Sequence, residues 1–73
     1  MDEKIRILKS KLIGYKADGT PIYYVELAGP SSVSKPTTYN GGAICAISLF
    51  FEDNTGDVYR FDETNATWRK WGE

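Results

Sequence analysis

Residues 51–69 read Phe51-Glu52-Asp53-Asn54-Thr55-Gly56-Asp57-Val58-Tyr59-Arg60-Phe61-Asp62-Glu63-Thr64-Asn65-Ala66-Thr67-Trp68-Arg69, and the fold turns on how this stretch doubles back. Two segments within it, Asp53 to Arg60 and Asp62 to Arg69, share one pattern: Asp, any residue, Thr, Gly or Asn, two more residues, an aromatic, Arg. Gly and Asn tolerate the left-handed backbone, and an Asp side chain can hydrogen-bond the turn that follows it. Each segment is therefore expected to be a type I turn closed by a left-handed residue, the three-residue hairpin loop. That loop length sets the register. Phe51 is expected opposite Tyr59 and Leu49 opposite Phe61, all on the core face. Arg60 is expected opposite Trp68 on the other face, beside Phe50 and Val58, with the guanidinium laid across the indole.

Outward from this stretch, β-branched and aromatic residues cluster in short runs between turn residues, the strand signature, and no helical periodicity competes. Five strands are predicted, over residues 4–15, 21–28, 43–52, 57–62 and 66–71. Asp18-Gly19, between the first two, is read as a two-residue type I′ hairpin loop. Its register puts Tyr15 opposite Ile22, Gly14 opposite Tyr23, Ile13 opposite Tyr24 and Lys11 opposite Glu26. Residues 29–42, rich in Pro, Ser and Gly, are read as a linking loop, either a flexible linker or an arm that orders on a partner. Gly41-Gly42 is read as a turn. The expected fold is a single all-β domain over residues 1–73: an N-terminal hairpin (4–28), the loop (29–42) and a three-stranded meander (43–71). Together they make a small five-stranded antiparallel domain, open-barrel or sandwich-like, with the hairpin covering one face of the meander.

Composition narrows function by exclusion. The chain has 73 residues, and a domain of that size draws only about 3–5 kcal/mol of net stability from its core. Cys45 is the single cysteine, so no disulfide forms within the chain, and its apolar surroundings suit a buried, reduced thiol. There is no histidine, which removes the usual base for a nucleophile and the usual partner ligands for zinc. The acidic cluster Asp53, Asp57, Asp62 and Glu63 is explained by turns and misses the EF-hand spacing. No catalytic residue, cofactor or metal site is expected, and the chain is read as not an enzyme. Nine basic against ten acidic residues argue against a nucleic-acid partner. No apolar run approaches the roughly 20 residues of a membrane span. The acidic opening is unlike a signal peptide, so the expected place of synthesis is a cytoplasm.

If the hairpin covers one face of the meander, the other face, with Phe50, Val58, Arg60 and Trp68, is left without a cover, and Trp71 lies nearby. An uncovered apolar patch of this kind marks an interaction site. These five residues are the candidate protein-interaction site, and self-association or docking on another protein is the expected behaviour. A carbohydrate-binding role, with Tyr59, Trp68 and Trp71 as stacking rings, is a further reading.

The C-terminal part also carries a resemblance. It runs Gly41-Gly42, an apolar strand ending Phe50-Phe51-Glu52-Asp53, then Asn54-Thr55-Gly56-Asp57-Val58-Tyr59-Arg60-Phe61-Asp62, then Trp68. This resembles small virion structural proteins, of head-fibre or minor structural type, from tailed phages and prophages of Gram-positive bacteria. Phe51, Asp53, Thr55, Gly56, Tyr59, Phe61, Asp62 and Trp68 carry the likeness. Gly42-Ala43 stands where that pattern has Gly-Ser, and the turn after Asp53 is a residue longer than the common form. The resemblance implies a decoration protein of the virion that docks on a capsid, fibre or neighbouring copy, often as an oligomer. The alternative is a small phage-borne or bacterial regulator that binds a host protein.

Overall fold

Pro21–Gly29 is the strand about which everything else is arranged. In the computed structural model, which describes residues 3–72, the chain is all-β, with strands β1 (Arg6–Tyr15), β2 (Pro21–Gly29), β3 (Thr38–Tyr39), β4 (Gly42–Ile44), β5 (Leu49–Glu52), β6 (Val58–Asp62) and β7 (Thr67–Lys70). β1 runs antiparallel along one edge of β2. Two strands share the other edge, both parallel to β2. β4 pairs with its start (Ile22 with Ala43, Tyr23 with Ile44), and β5 with its end (Glu26 with Leu49 through Gly29 with Glu52). β3 extends the sheet beyond β4, while β6 and β7 extend it beyond β5. Both wings contribute side chains to one core cluster, so the open sheet curls around it.

The fold is therefore all-β as expected, but it is a mixed sheet of seven strands rather than a five-stranded antiparallel domain. The N-terminal hairpin lies beside the meander in one sheet and does not cover it. The physical reason is the connection. Adjacent parallel strands need a crossover of about a dozen residues, and residues 30–41 supply it. The segment read as a flexible linker or as an arm that orders on a partner is packed on the chain's own core. Val33 is buried in the cluster, the Trp68 indole Nε1 donates to the Pro36 carbonyl at 2.7 Å, and Ser31 and Asn54 exchange two hydrogen bonds.

The strand expected over 43–52 is interrupted. Tyr23 pairs with Ile44 and Glu26 with Leu49, so three steps along β2 match five along the opposing chain. The two extra residues, Ala46 and Ile47, are exposed on an outward excursion. The ladder survives because the Cys45 amide donates to the Tyr23 carbonyl (2.8 Å) and the Ser48 hydroxyl accepts from the buried Val25 amide (3.0 Å). A side-chain oxygen stands where a strand carbonyl would have been.

Each of the three turns foreseen from the sequence is one residue longer than expected. Around Asp18-Gly19 the Gly19 amide donates to the Lys16 carbonyl and the Lys16 amide to the Thr20 carbonyl. With Gly19 at φ +91°, this is a three-residue loop of type I turn plus left-handed glycine. β1 carries two further irregularities, between Ile7 and Lys9 and between Leu12 and Gly14, so Lys9, not Lys11, faces Glu26. The two meander turns have four-residue loops, 53–56 and 63–66, with the left-handed position last, at Gly56 and Ala66 rather than Asn65. The structural repeat thus aligns Glu52 with Asp62, not Asp53 with Asp62. Asp62 fixes its loop by accepting from the Thr64 and Asn65 amides, and Glu52 fixes the other by accepting from the Thr55 hydroxyl. The type I′ turn is elsewhere, at Asn40-Gly41, where both residues have positive φ and join β3 to β4.

The core is Ile5, Val25, Leu27, Val33, Ile44, Phe50 and Phe61, with Tyr23, Tyr39, Tyr59 and Trp68 against it. Each of the larger buried side chains contributes about 1.5–3 kcal/mol. Gly42 is fixed by a close approach, since a Cβ there would lie 2.5 Å from the Pro21 carbonyl oxygen.

Three substitutions test this account by urea unfolding. Ser48→Ala strands the Val25 amide and is expected to cost about 1–3 kcal/mol. Gly42→Ala is expected to destabilise by about 1–3 kcal/mol, by forcing β4 off β2. Ala66→Gly removes a left-handed non-glycine and is expected to stabilise by about 0.5–1 kcal/mol.

Candidate docking surfaces

The one-residue lengthening of the meander turns redistributes the expected site. The registers are Phe50 with Tyr59, Phe51 with Val58, Leu49 with Arg60 and Phe61 with Trp68. Phe50, Tyr59, Phe61 and Trp68 therefore share the core face, while Leu49, Phe51, Val58 and Arg60 share the outer one. Of the five residues expected on one patch, Phe50 is completely buried, and Trp68 is half-buried with its ring edge-on to Phe50 (5.9 Å) and Phe61 (5.1 Å). The face that carries them is covered by the crossover, so it is not the open surface that the shorter loops implied. Val58, Arg60 and Trp71 do come together on the outer face. The Trp71 amide donates to the Val58 carbonyl, and the Arg60 guanidinium lies 5.4 Å from the Trp71 ring centre. The cation–π partner of Arg60 is thus Trp71 and not Trp68. Leu49 and Phe51 join this outer group and were placed on the core face by the shorter loops.

A lysine clamps the cover onto the core. Lys35, from the crossover, places Nζ 2.6 Å from Glu52 Oε2, 4.3 Å from the Tyr59 ring centre and 5.1 Å from that of Phe50. Glu52 is 4% exposed and its other oxygen takes the Thr55 hydroxyl at 2.8 Å. The Lys35 ammonium holds the Glu52 carboxyl below the usual carboxylate range, against the opposing effect of burial, with the Thr55 hydroxyl adding to the lowering. At the second meander turn, Arg69 and Asn65 draw the Asp62 carboxyl down to about 2. The Tyr24 hydroxyl donates to Glu26 Oε2 at 2.6 Å, which pushes its pKa up to about 12, so it stays protonated at neutral pH.

β1 carries an exposed group of apolar side chains outside the expected site. β1 pairs only with β2 among the described residues, leaving its far edge open. Ile7, Leu8, Leu12, Ile13 and Tyr15 are between 43% and 65% exposed. A signal was present in the sequence: five large apolar residues within the first strand, too many for a chain this short to cover. The assumption that the hairpin would lie over the meander hid it.

No buried side-chain nitrogen or oxygen among the described residues lacks a hydrogen-bond partner, and no group of three or more acidic or cysteine side chains among them is placed to hold a metal ion. The polar chemistry of the interior is satisfied within the fold. Cys45 Sγ lies 3.5 Å from Ser48 Oγ, both buried.

Replacing Lys35 with Met leaves the Glu52 carboxylate buried without its cation and is expected to cost about 3 kcal/mol in urea unfolding at pH 7. The sign with pH follows from the depressed folded pKa of Glu52. The stabilisation of the ion pair is full above the ordinary carboxylate range and disappears as pH falls through the lowered folded value. The gap between native chain and Lys35→Met is therefore expected to close on acidification, measured as the difference in urea midpoint across pH 7 to pH 2.

Compared with protein-family models, with curated proteins and with solved structures, the chain matches none.

Proposed function

We propose that this chain is a docking protein, a structural or decoration component of a phage particle, which joins a larger protein assembly through surface left open by its single curled sheet. One observation carries the reading. A ten-residue strand, β1, keeps five large apolar side chains exposed and one backbone edge unpaired. Native proteins normally shorten, cover or make polar an edge of this kind, because it templates pairing with another chain. Contiguous exposed apolar surface in a small monomer marks a site of association. The outer-face group of Leu49, Phe51, Val58, Arg60 and Trp71 offers a second contact region. The virion assignment draws on the likeness of the stretch from Gly41 to small phage structural proteins. The reading includes no catalytic step.

The test is composition. Gradient-purified particles from an induced source strain are expected to contain the chain at fixed stoichiometry by quantitative mass spectrometry. The double variant Leu8→Ser/Ile13→Ser, at side chains more than half exposed, is expected to keep its urea midpoint and to lose incorporation. A chain absent from particles, and found instead in equimolar complex with one host protein, would replace the virion reading with that of a regulator.

A further inference from the structure

The two sides of β1 differ in chemistry. Register with β2 sets Arg6, Lys9 and Lys11 opposite Ala28, Glu26 and Tyr24, on the outer face. It sets Ile7, Ser10 and Leu12 opposite Leu27, Val25 and Tyr23, on the core side, where they extend the apolar surface past the covered cluster. Residues 4–16 hold five basic residues and no acidic one, although the whole chain carries a slight net negative charge. Arg6 is engaged by Asp53 at 2.7 Å. Lys9 lies across from Glu26, whose carboxylate also accepts from the Tyr24 hydroxyl, and neither Lys9 nor Lys11 makes an ion pair within 4 Å among the described residues. Among the described residues the unpaired edge thus presents Ile7 and Leu12 on one face and the Lys9 and Lys11 ammonium groups on the other, with Leu8 and Ile13 at the two irregularities between them.

We propose that β1 accepts, as an added strand, an extended segment of a different protein in which acidic residues alternate with aliphatic ones. This deepens the docking reading and rests on it. Side chains of an added strand alternate between the two faces. Its acidic positions come beside Lys9 and Lys11 and its aliphatic positions beside Ile7 and Leu12. A second copy of this chain is a poor occupant, because pairing β1 with itself brings two lysine-bearing rows together, and like charges side by side are destabilising. The same lysines, with the irregularities after Ile7 and Leu12, disfavour edge-to-edge polymerisation of so apolar an edge. Blunting against aggregation alone leaves the five exposed apolar residues unexplained, since a polar strand would serve that end better.

The experiment titrates the 15N-labelled full chain with a soluble synthetic peptide alternating glutamate with valine, and with the same peptide carrying lysine for glutamate. The acidic peptide is expected to shift the amide signals of Arg6–Tyr15 and slow their hydrogen exchange, with affinity falling as salt rises. The double variant Lys9→Gln/Lys11→Gln, which puts no second carboxylate opposite Glu26, is expected to keep its urea midpoint, to bind the acidic peptide about tenfold more weakly and to bind the basic one more tightly. Equal binding of both peptides, signal changes confined to Leu49, Val58 and Trp71, or a β1-to-β1 dimer of the chain alone would overturn the proposal. Incorporation of the same variant into particles separates it from the docking reading. Full incorporation overturns strand addition and leaves docking standing, whereas absence of the native chain from particles overturns the virion reading.

Discussion

The parallel seating of residues 42–52 against β2 is the constraint from which the rest of the structure follows. β2 is short of partners on one edge, and no single uninterrupted strand fills it. Two pieces of one chain do so, joined through an excursion at Ala46-Ile47 that leaves a gap in the ladder. Ser48 closes that gap with its hydroxyl, which serves as a backbone acceptor for Val25 at a position with no solvent access. A buried amide without an acceptor costs as much as a good fraction of a small domain's net stability. One serine oxygen therefore has a weight out of proportion to its size.

Parallel seating also accounts for the crossover and, through it, for the core. All seven strands of the described residues belong to one curled sheet, so no second layer of strands covers its concave face. The crossover takes its place, lying across the concave face with Val33 inserted, the Pro36 carbonyl bonded to Trp68, and Lys35 held between the Tyr59 ring and Glu52. An irregular segment can cover a core in this way only if its polar groups find partners. The crossover does this with specific side chains, which is why its composition of Pro, Ser and Lys looks like a linker while its behaviour is that of a structural layer.

A single layer has a second consequence, at the surface. With the concave face roofed, the convex face and the far edge of β1 remain open among the described residues, and the apolar side chains there stay exposed. β1 differs from β2 in this respect although the two are equally long-range partners of each other: β2 is enclosed by neighbours on both edges, and β1 by one. The contrast between Val25, which is fully buried, and Leu12, two places away across the ladder and 43% exposed, is a matter of position in the sheet and not of residue type. The docking reading grows from this asymmetry.

By itself the sequence determined the class of structure, all strand and turn, because β-branched and aromatic runs separated by Asp, Asn and Gly have no other stable arrangement. It located three of the four hairpin turns and placed Cys45 in the interior. It did not determine loop length. Asp-x-Thr-Gly and Asp-x-Thr-Asn are compatible with loops of three or four residues, and the choice is made by where Glu52 and Asp62 find hydrogen-bond partners once the strands are packed. Because side chains alternate with a period of two, a single residue of loop moved Phe50 and Trp68 from the open face to the core, and Leu49 and Phe51 the other way. Whether Asn40-Gly41 or Asp18-Gly19 would take the type I′ form, and whether the hairpin would lie over the meander or beside it, were likewise decided by tertiary structure. Both depend on an edge of β2 to which residues far along the chain must return, and no local pattern encodes that return.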